Sequence, residues 1–170
     1  MKHFKYLLLS VLTMAILTGC GGEEKKTEDS KKVKIGTKKE TKKVDDNISN
    51  VVITGDDFMK FNKKEIRVKA GQKVKLTLRH VGKMNIKIMG HNVIILKQGV
   101  DLVAFAAKAA TANDNQYIPK DSQDIIAHTD LIGGGTTTSI EFDAPEAGTY
   151  EFLCSFPGHY GMMRGKFIVE

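Results

Sequence analysis

The chain has no tryptophan, three prolines and only two cysteines, Cys20 and Cys154, in 170 residues. So few cysteines exclude the disulfide-dense scaffold on which small exported domains often depend, leaving a packed core to hold any domain together. A bilayer-spanning segment is lacking as well, since the longest apolar run, Tyr6 to Leu17, is too short to cross as a stable helix. There is also no basic block. Residues 1–19 carry two lysines and no acids, residues 20–47 nine lysines against seven acids, and residues 48–170 fifteen lysines and arginines against thirteen acids. The overall formal charge of +6 is therefore spread thinly, with both signs interspersed, which argues against nucleic acid as a partner. No internal repeat is visible.

The amino-terminal segment has another use. Lys2 and Lys5 precede the apolar run, and Leu17-Thr18-Gly19-Cys20 follows it. That order is the pattern of a secretory signal, and its ending resembles the lipobox of bacterial lipoproteins, in which the cysteine becomes the first mature residue and carries lipid. The expectation is a signal peptide over 1–19 and a lipidated Cys20, whose several acyl chains would give stable anchoring. An ordinary signal peptide with an incidental Cys20 is the alternative. Residues 21–47 are mostly Lys, Glu, Thr, Asp, Ser and Gly, with Val33, Ile35 and Val44 as the larger apolar residues, so they cannot bury enough surface to offset ordering entropy. They read as a disordered charged tether with a root-mean-square reach on the order of 29 Å. The expected location is the bacterial cell envelope, lipid-anchored and periplasmic. Gly21 stands where many inner-membrane lipoproteins have Asp, which favours the outer membrane over the inner one.

If Cys20 carries lipid, Cys154 is a lone thiol in an oxidising compartment, a liability unless something occupies it. Its neighbourhood suggests what does. Cys154-Ser155-Phe156-Pro157-Gly158-His159-Tyr160-Gly161-Met162-Met163 places a thiolate, an imidazole and a thioether in ten residues, directly after a strand-like stretch, Thr149 to Leu153. One more imidazole would complete a His2Cys site with a weak axial thioether, the ligand set of blue-copper electron-transfer centres. Met89-Gly90-His91-Asn92 can supply it. Zinc also accepts Cys and two His, so these residue types alone leave the metal open.

From Ile48 onward the pattern is that of strands. Ile66 and Val68, then Val74, Leu76 and Leu78 after an Ala70-Gly71 turn, alternate with charged and polar residues and predict two half-buried strands. Asn92 to Lys97 is a continuous apolar run suited to a strand in a sandwich core. Thr136 to Phe142, Thr149 to Cys154 and Gly165 to Val169 supply three more, with Ala144 to Gly148 as a turn. Val100 to Ala112, rich in Ala and Leu without internal Gly or Pro, predicts a helix inserted between strands. The whole reads as an all-β antiparallel sandwich.

Met89-Gly90-His91-Asn92 together with Cys154-x4-His159-x3-Met163 resembles the azurins, small blue-copper proteins of the cupredoxin fold. The resemblance continues through Asp57-Phe58-Met59-Lys60-Phe61-Asn62 and Ile126-Ala127-His128-Thr129-Asp130-Leu131-Ile132-Gly133, covering Ile48 to Glu170 in order. It implies an eight-stranded Greek-key sandwich with one inserted helix over 48–170, and one copper cycling between Cu(I) and Cu(II). His91, Cys154 and His159 would be equatorial ligands, Met163 the axial thioether in preference to Met162, and the Gly90 carbonyl the opposite axial neighbour. Glycine at position 90 would let the backbone approach the metal. Asn92, Ser155 and Phe156 would tie the ligand-bearing segments together and orient the thiolate. His80 would lie near a ligand without binding copper, while His128 has no implied role. Met59, Met84, Met89, Phe156, Pro157, Gly161 and Met162 would form an apolar patch around the exposed edge of His159, where redox partner proteins dock transiently.

Two departures are visible. No second cysteine exists in 48–170 to form the disulfide common in azurins, which implies lower stability, and Val93 replaces an aromatic often found after the His-Asn pair. The implied function is single-electron transfer between cell-envelope redox partners, by a carrier and not an enzyme. The alternative is a copper-binding or copper-buffering lipoprotein without productive electron transfer. An oxidase or nitrite reductase would need a further catalytic copper with its own histidines, and a binuclear centre two thiolates. Neither demand is met here.

Overall fold

The computed structural model describes residues 47–170. The expected signal segment, the lipidated Cys20 and all of the tether except Asn47 lie outside the described residues. The chain runs β1 (Ile48–Gly55), β2 (Glu65–Val68), β3 (Lys73–His80), α1 (Ile86–Met89), β4 (Ile94–Leu96), α2 (Leu102–Ala110), a 3-10 turn (Asn113–Asn115), β5 (Ile125–His128), β6 (Thr137–Asp143), β7 (Gly148–Leu153) and β8 (Arg164–Val169). Two sheets result, of order β1-β3-β6 and β2-β8-β7-β4-β5.

Alternation built the faces as expected. Val74, Leu76 and Leu78 of β3 and Ile66 and Val68 of β2 are buried while the residues between them are exposed or half-exposed. These two strands nevertheless lie in different sheets: β2 pairs with β8, and β3 with β1 and β6. Gly71, at φ +75°, turns the chain from one sheet to the other, where a residue with a Cβ would be strained. Two ladders, β1 with β3 and β2 with β8, are parallel, so the sandwich is not purely antiparallel. Each parallel pair is connected through other elements, as parallel pairing requires.

Residues 91–96 are buried without a break, and the helix explains why. One face of this segment, Val93 and Ile95, joins the core between the sheets with Phe61, Phe152 and Phe167. The other face, Ile94 and Leu96, packs under Leu102, Phe105, Ala106 and Ala109 of α2, with Ile118 and Leu153. A strand covered on both faces loses its alternation. Asp101 starts the covering helix by accepting hydrogen bonds from the Val103 and Ala104 N–H groups.

Candidate metal centre

The carboxyl-terminal ends of β1, β3 and β7 meet three loops at one end of the sandwich. Cys154 leaves β7, and its N–H donates to the Met163 carbonyl at 2.8 Å, closing the loop between them. Within that loop the Met162 and Met163 N–H groups both donate to the His159 carbonyl, at 3.0 and 2.8 Å, a helical turn that places His159 and Met163 one above the other. His91 enters from the other side, held by a two-bond bridge to Ile132.

The donor atoms of His91, Cys154 and His159 all lie within 4.8 Å of one another. Cys154 Sγ is 3.7 Å from His159 Nδ1 and 3.9 Å from the Gly90 carbonyl oxygen. First-row metal–thiolate and metal–imidazole bonds of about 2.3 and 2.0 Å, set 120° apart, would separate sulfur from nitrogen by about 3.7 Å. The His91 Nε2–H donates to the Asp56 carbonyl at 2.8 Å, which leaves Nδ1 as the unprotonated nitrogen. That Nδ1 is buried and has no hydrogen-bond partner. A partnerless buried nitrogen beside a buried sulfur and a second imidazole is a donor set that fits a metal cation.

Electrostatics point the same way. Burial pushes the Cys154 thiol up to about 11, against the pull of the Asn92 and Phe156 N–H groups. Burial, then the neighbouring His91 and His80, pushes His159 down to about 4. Burial is also the main cause that lowers His91. Both imidazoles are therefore neutral at pH 7 with lone pairs available, whereas the thiolate needs a cation to stabilise it.

Around these atoms, Asn92 joins the two ligand-bearing segments. Its Oδ1 accepts from the Ser155 N–H at 2.9 Å, its Nδ2 donates to Ser155 Oγ at 2.9 Å, and the Ser155 hydroxyl donates to the Tyr117 carbonyl at 2.7 Å. Phe156 packs against the His159 ring at 4.7 Å and edge-on to Tyr117 at 5.1 Å. His80 stacks on His91 at 4.2 Å. Its Nδ1 accepts from the Gly82 N–H, so Nε2 carries the proton and donates to the Met89 carbonyl.

Met163 is fully buried, whereas Met162, the other thioether of the loop, is 58% exposed. Gly90 also has a packing reason to be glycine: a Cβ there would lie 2.6 Å from the Ile86 carbonyl oxygen and 2.9 Å from the Phe156 ring. Several participants carried no signal in the sequence. Gly55 lies so close beneath His91 that a Cβ would meet the imidazole at 2.7 Å. Gln116 and Tyr117 adopt left-handed conformations to present their carbonyls to Asn92 and Ser155.

The expected surface patch is distributed unevenly. Met84, Pro157, Gly161 and Met162 are exposed, Met59 and Met89 half-buried, and Phe156 buried. His159 is only 3% exposed, so the edge expected to be open is almost covered. Phe58, at 81% exposed, and Ile88, at 66%, are larger apolar contributors on the neighbouring segments and were not anticipated.

A sequence profile described as copper binding proteins, plastocyanin/azurin family, matches residues 47–170. The chain belongs to that family. Azurin-1 of Alcaligenes xylosoxydans xylosoxydans is 42% identical over 120 residues, covering 68% of this chain and 93% of that protein. Outer membrane protein H.8 of Neisseria gonorrhoeae is 38% identical over 117 residues, covering 67% of this chain and 63% of that one. Among solved structures, auracyanin A of Chloroflexus aurantiacus, described as a "blue" copper protein, superposes with a TM-score of 0.66 at 33% identity, over 72% of this chain and 99% of that one. This cupredoxin is thus a copper-dependent electron-transfer protein of azurin type, a carrier and not an enzyme. Copper, rather than zinc, is its metal.

Proposed function

We propose that this cupredoxin is a lipid-anchored carrier that passes single electrons between redox proteins of the bacterial cell envelope. His91 Nδ1, Cys154 Sγ and His159 Nδ1 would hold its copper, with the Met163 thioether and the Gly90 carbonyl as weaker further donors. The observation that carries this reading is the buried, partnerless His91 Nδ1 lying with two other soft or borderline donors inside a 4.8 Å cluster. Copper bound there supplies a one-electron couple that thiolate and imidazole accept in both oxidation states.

The residues around the donors keep that couple fast by resisting rearrangement. The Asp56 carbonyl fixes the His91 tautomer, and Asn92 and Ser155 lock the Cys154 segment to the His91 segment. His159 lies just beneath the loop surface, where the exposed Pro157, Gly161 and Met162 offer partners a dry contact with little side-chain charge to desolvate. Met59, Met84, Met89 and Phe156 complete this docking area, and Phe58 and Ile88 extend it. A lipidated Cys20 and the charged tether would keep the domain within reach of membrane-bound partners. The similarity to a protein named for the outer membrane supports placing the anchor there.

The test is Cys154→Ser in the copper-loaded chain. The variant is expected to lose any intense visible absorption while its far-ultraviolet circular dichroism stays that of a β-sandwich. A variant that remains blue would contradict the ligand set.

A further inference from the structure

The apolar docking area is bordered by charge of one sign. Residues 56–64, 81–91, 129–136 and 154–164, the segments that surround the Cys154 loop, contain six cations, Lys60, Lys63, Lys64, Lys83, Lys87 and Arg164, against three acids. The other residues of 48–170 contain nine cations against ten acids. The whole positive excess of the domain therefore lies at the end where the electron leaves.

Pairing sharpens this asymmetry. Away from that end, five of the nine cations, Arg67, Lys73, Lys75, Lys120 and Lys166, are each in an ion pair, and Lys69, Arg79, Lys97 and Lys108 are not. All six cations at the loop end are exposed, and none has a carboxylate within ion-pair distance among the described residues. Lys64 Nζ instead donates to the Met162 carbonyl at 2.5 Å, which holds its charge against the ligand loop. The three acids are engaged with their own scaffold. Asp56 accepts from the Phe58 and Lys60 N–H groups, Asp57 from those of Lys83 and Met84, and Asp130 from the Thr138 hydroxyl.

We propose that the redox partner of this protein docks with an acidic surface, its carboxylates ringing an apolar centre and meeting Lys60, Lys64, Lys83, Lys87 and Arg164. This rests on the electron-carrier reading above. An apolar contact gives close approach of the redox centres, and the cationic ring speeds encounter and rejects basic partners at little cost in residence time.

The test uses the full copper-loaded chain with two small redox probes, ferricyanide and a tripositive cobalt phenanthroline complex, and a deca-glutamate peptide titrated into the copper-free chain. The ferricyanide rate is expected to fall by about tenfold or more between 10 and 300 mM salt, while the cobalt rate rises. Combining Lys60→Glu, Lys87→Glu and Arg164→Glu should remove most of the ferricyanide dependence and the peptide binding. Combining Lys69→Glu, Lys97→Glu and Lys108→Glu, an equal change in net charge at the other end, should leave both largely intact. Equal effects of the two triple variants, or a ferricyanide rate indifferent to salt, would overturn the proposal. Loss of redox cycling with every probe, with peptide binding retained at the loop end, would instead contradict the electron-carrier reading while leaving the acidic partner standing.

Discussion

His91 shows how much of a metal site is decided by hydrogen bonds outside it. The Asp56 carbonyl accepts a hydrogen bond from Nε2–H, so Nδ1 keeps its lone pair, buried and without a hydrogen-bond partner. Cys154 has the opposite problem, because burial holds its proton on. Metal uptake must displace that proton, and the sign follows: apparent copper affinity should rise about tenfold per pH unit from pH 7 toward 11, then level off as the thiol titrates. Below about pH 4 the slope should steepen, since His159 also binds a proton there. Competition titrations across that range would check both limits. Gly55→Ala places a methyl group where the His91 ring now lies, and should shift the visible spectrum of the copper form without unfolding the chain. Asn92→Ala leaves the Ser155 N–H buried without an acceptor, at a cost of about 1–3 kcal/mol in chemical denaturation of the copper-free chain. Cys154 and His159 could be read from the sequence as neighbours in one cluster because a single short loop carries both at fixed spacing. Gly55 and Gln116 could not, because their contribution is a close approach or a carbonyl direction that any flexible residue in a turn would spell equally well.

Among the elements, β4 and α2 form a unit with its own core on the side of the five-stranded sheet away from the other sheet. Phe105, Ala106 and Ala109 cover Ile94 and Leu96, and this small core includes none of the three clustered donor residues. Phe105→Ala should therefore cost about 3–5 kcal/mol of stability, measured by denaturant unfolding, while the copper absorption of the folded fraction stays unchanged. The inserted helix was visible in its composition, and it ends two residues inside the expected span at each side. Strand partnership was not visible. Alternation in β2 and β3 shows which face is buried but not which neighbour completes the ladder, so two strands joined by a tight turn still separate into opposite sheets. The short α1 carried no apolar periodicity because none of its residues is buried. Phe58 and Ile88 carry no sequence signal of their exposure for a related reason: apolar residues are expected inside, and only the fold reveals that these two face out.

Over the whole molecule, a rigid sandwich serves to present one end. No disulfide braces residues 47–170, so the interlocked cores carry the stability, and copper binding to the folded state should add to it by mass action. The melting temperature of the loaded chain should accordingly exceed that of the copper-free chain, and chelation should reverse the gain. The same end holds the donor cluster, the exposed Phe58, Met84, Ile88 and Met162 and six cations without an ion pair, while the charge of the other residues of 48–170 is nearly balanced. This concentration is what a carrier needs if it is to meet a donor and an acceptor in turn through one surface. The most direct test of that account is reversible redox cycling of the copper-loaded full chain, followed by its visible absorption and by voltammetry. An intense thiolate-to-copper band that bleaches on one-electron reduction and returns fully and rapidly on reoxidation is the predicted result; a colourless copper complex, or one that exchanges electrons only sluggishly, would contradict it.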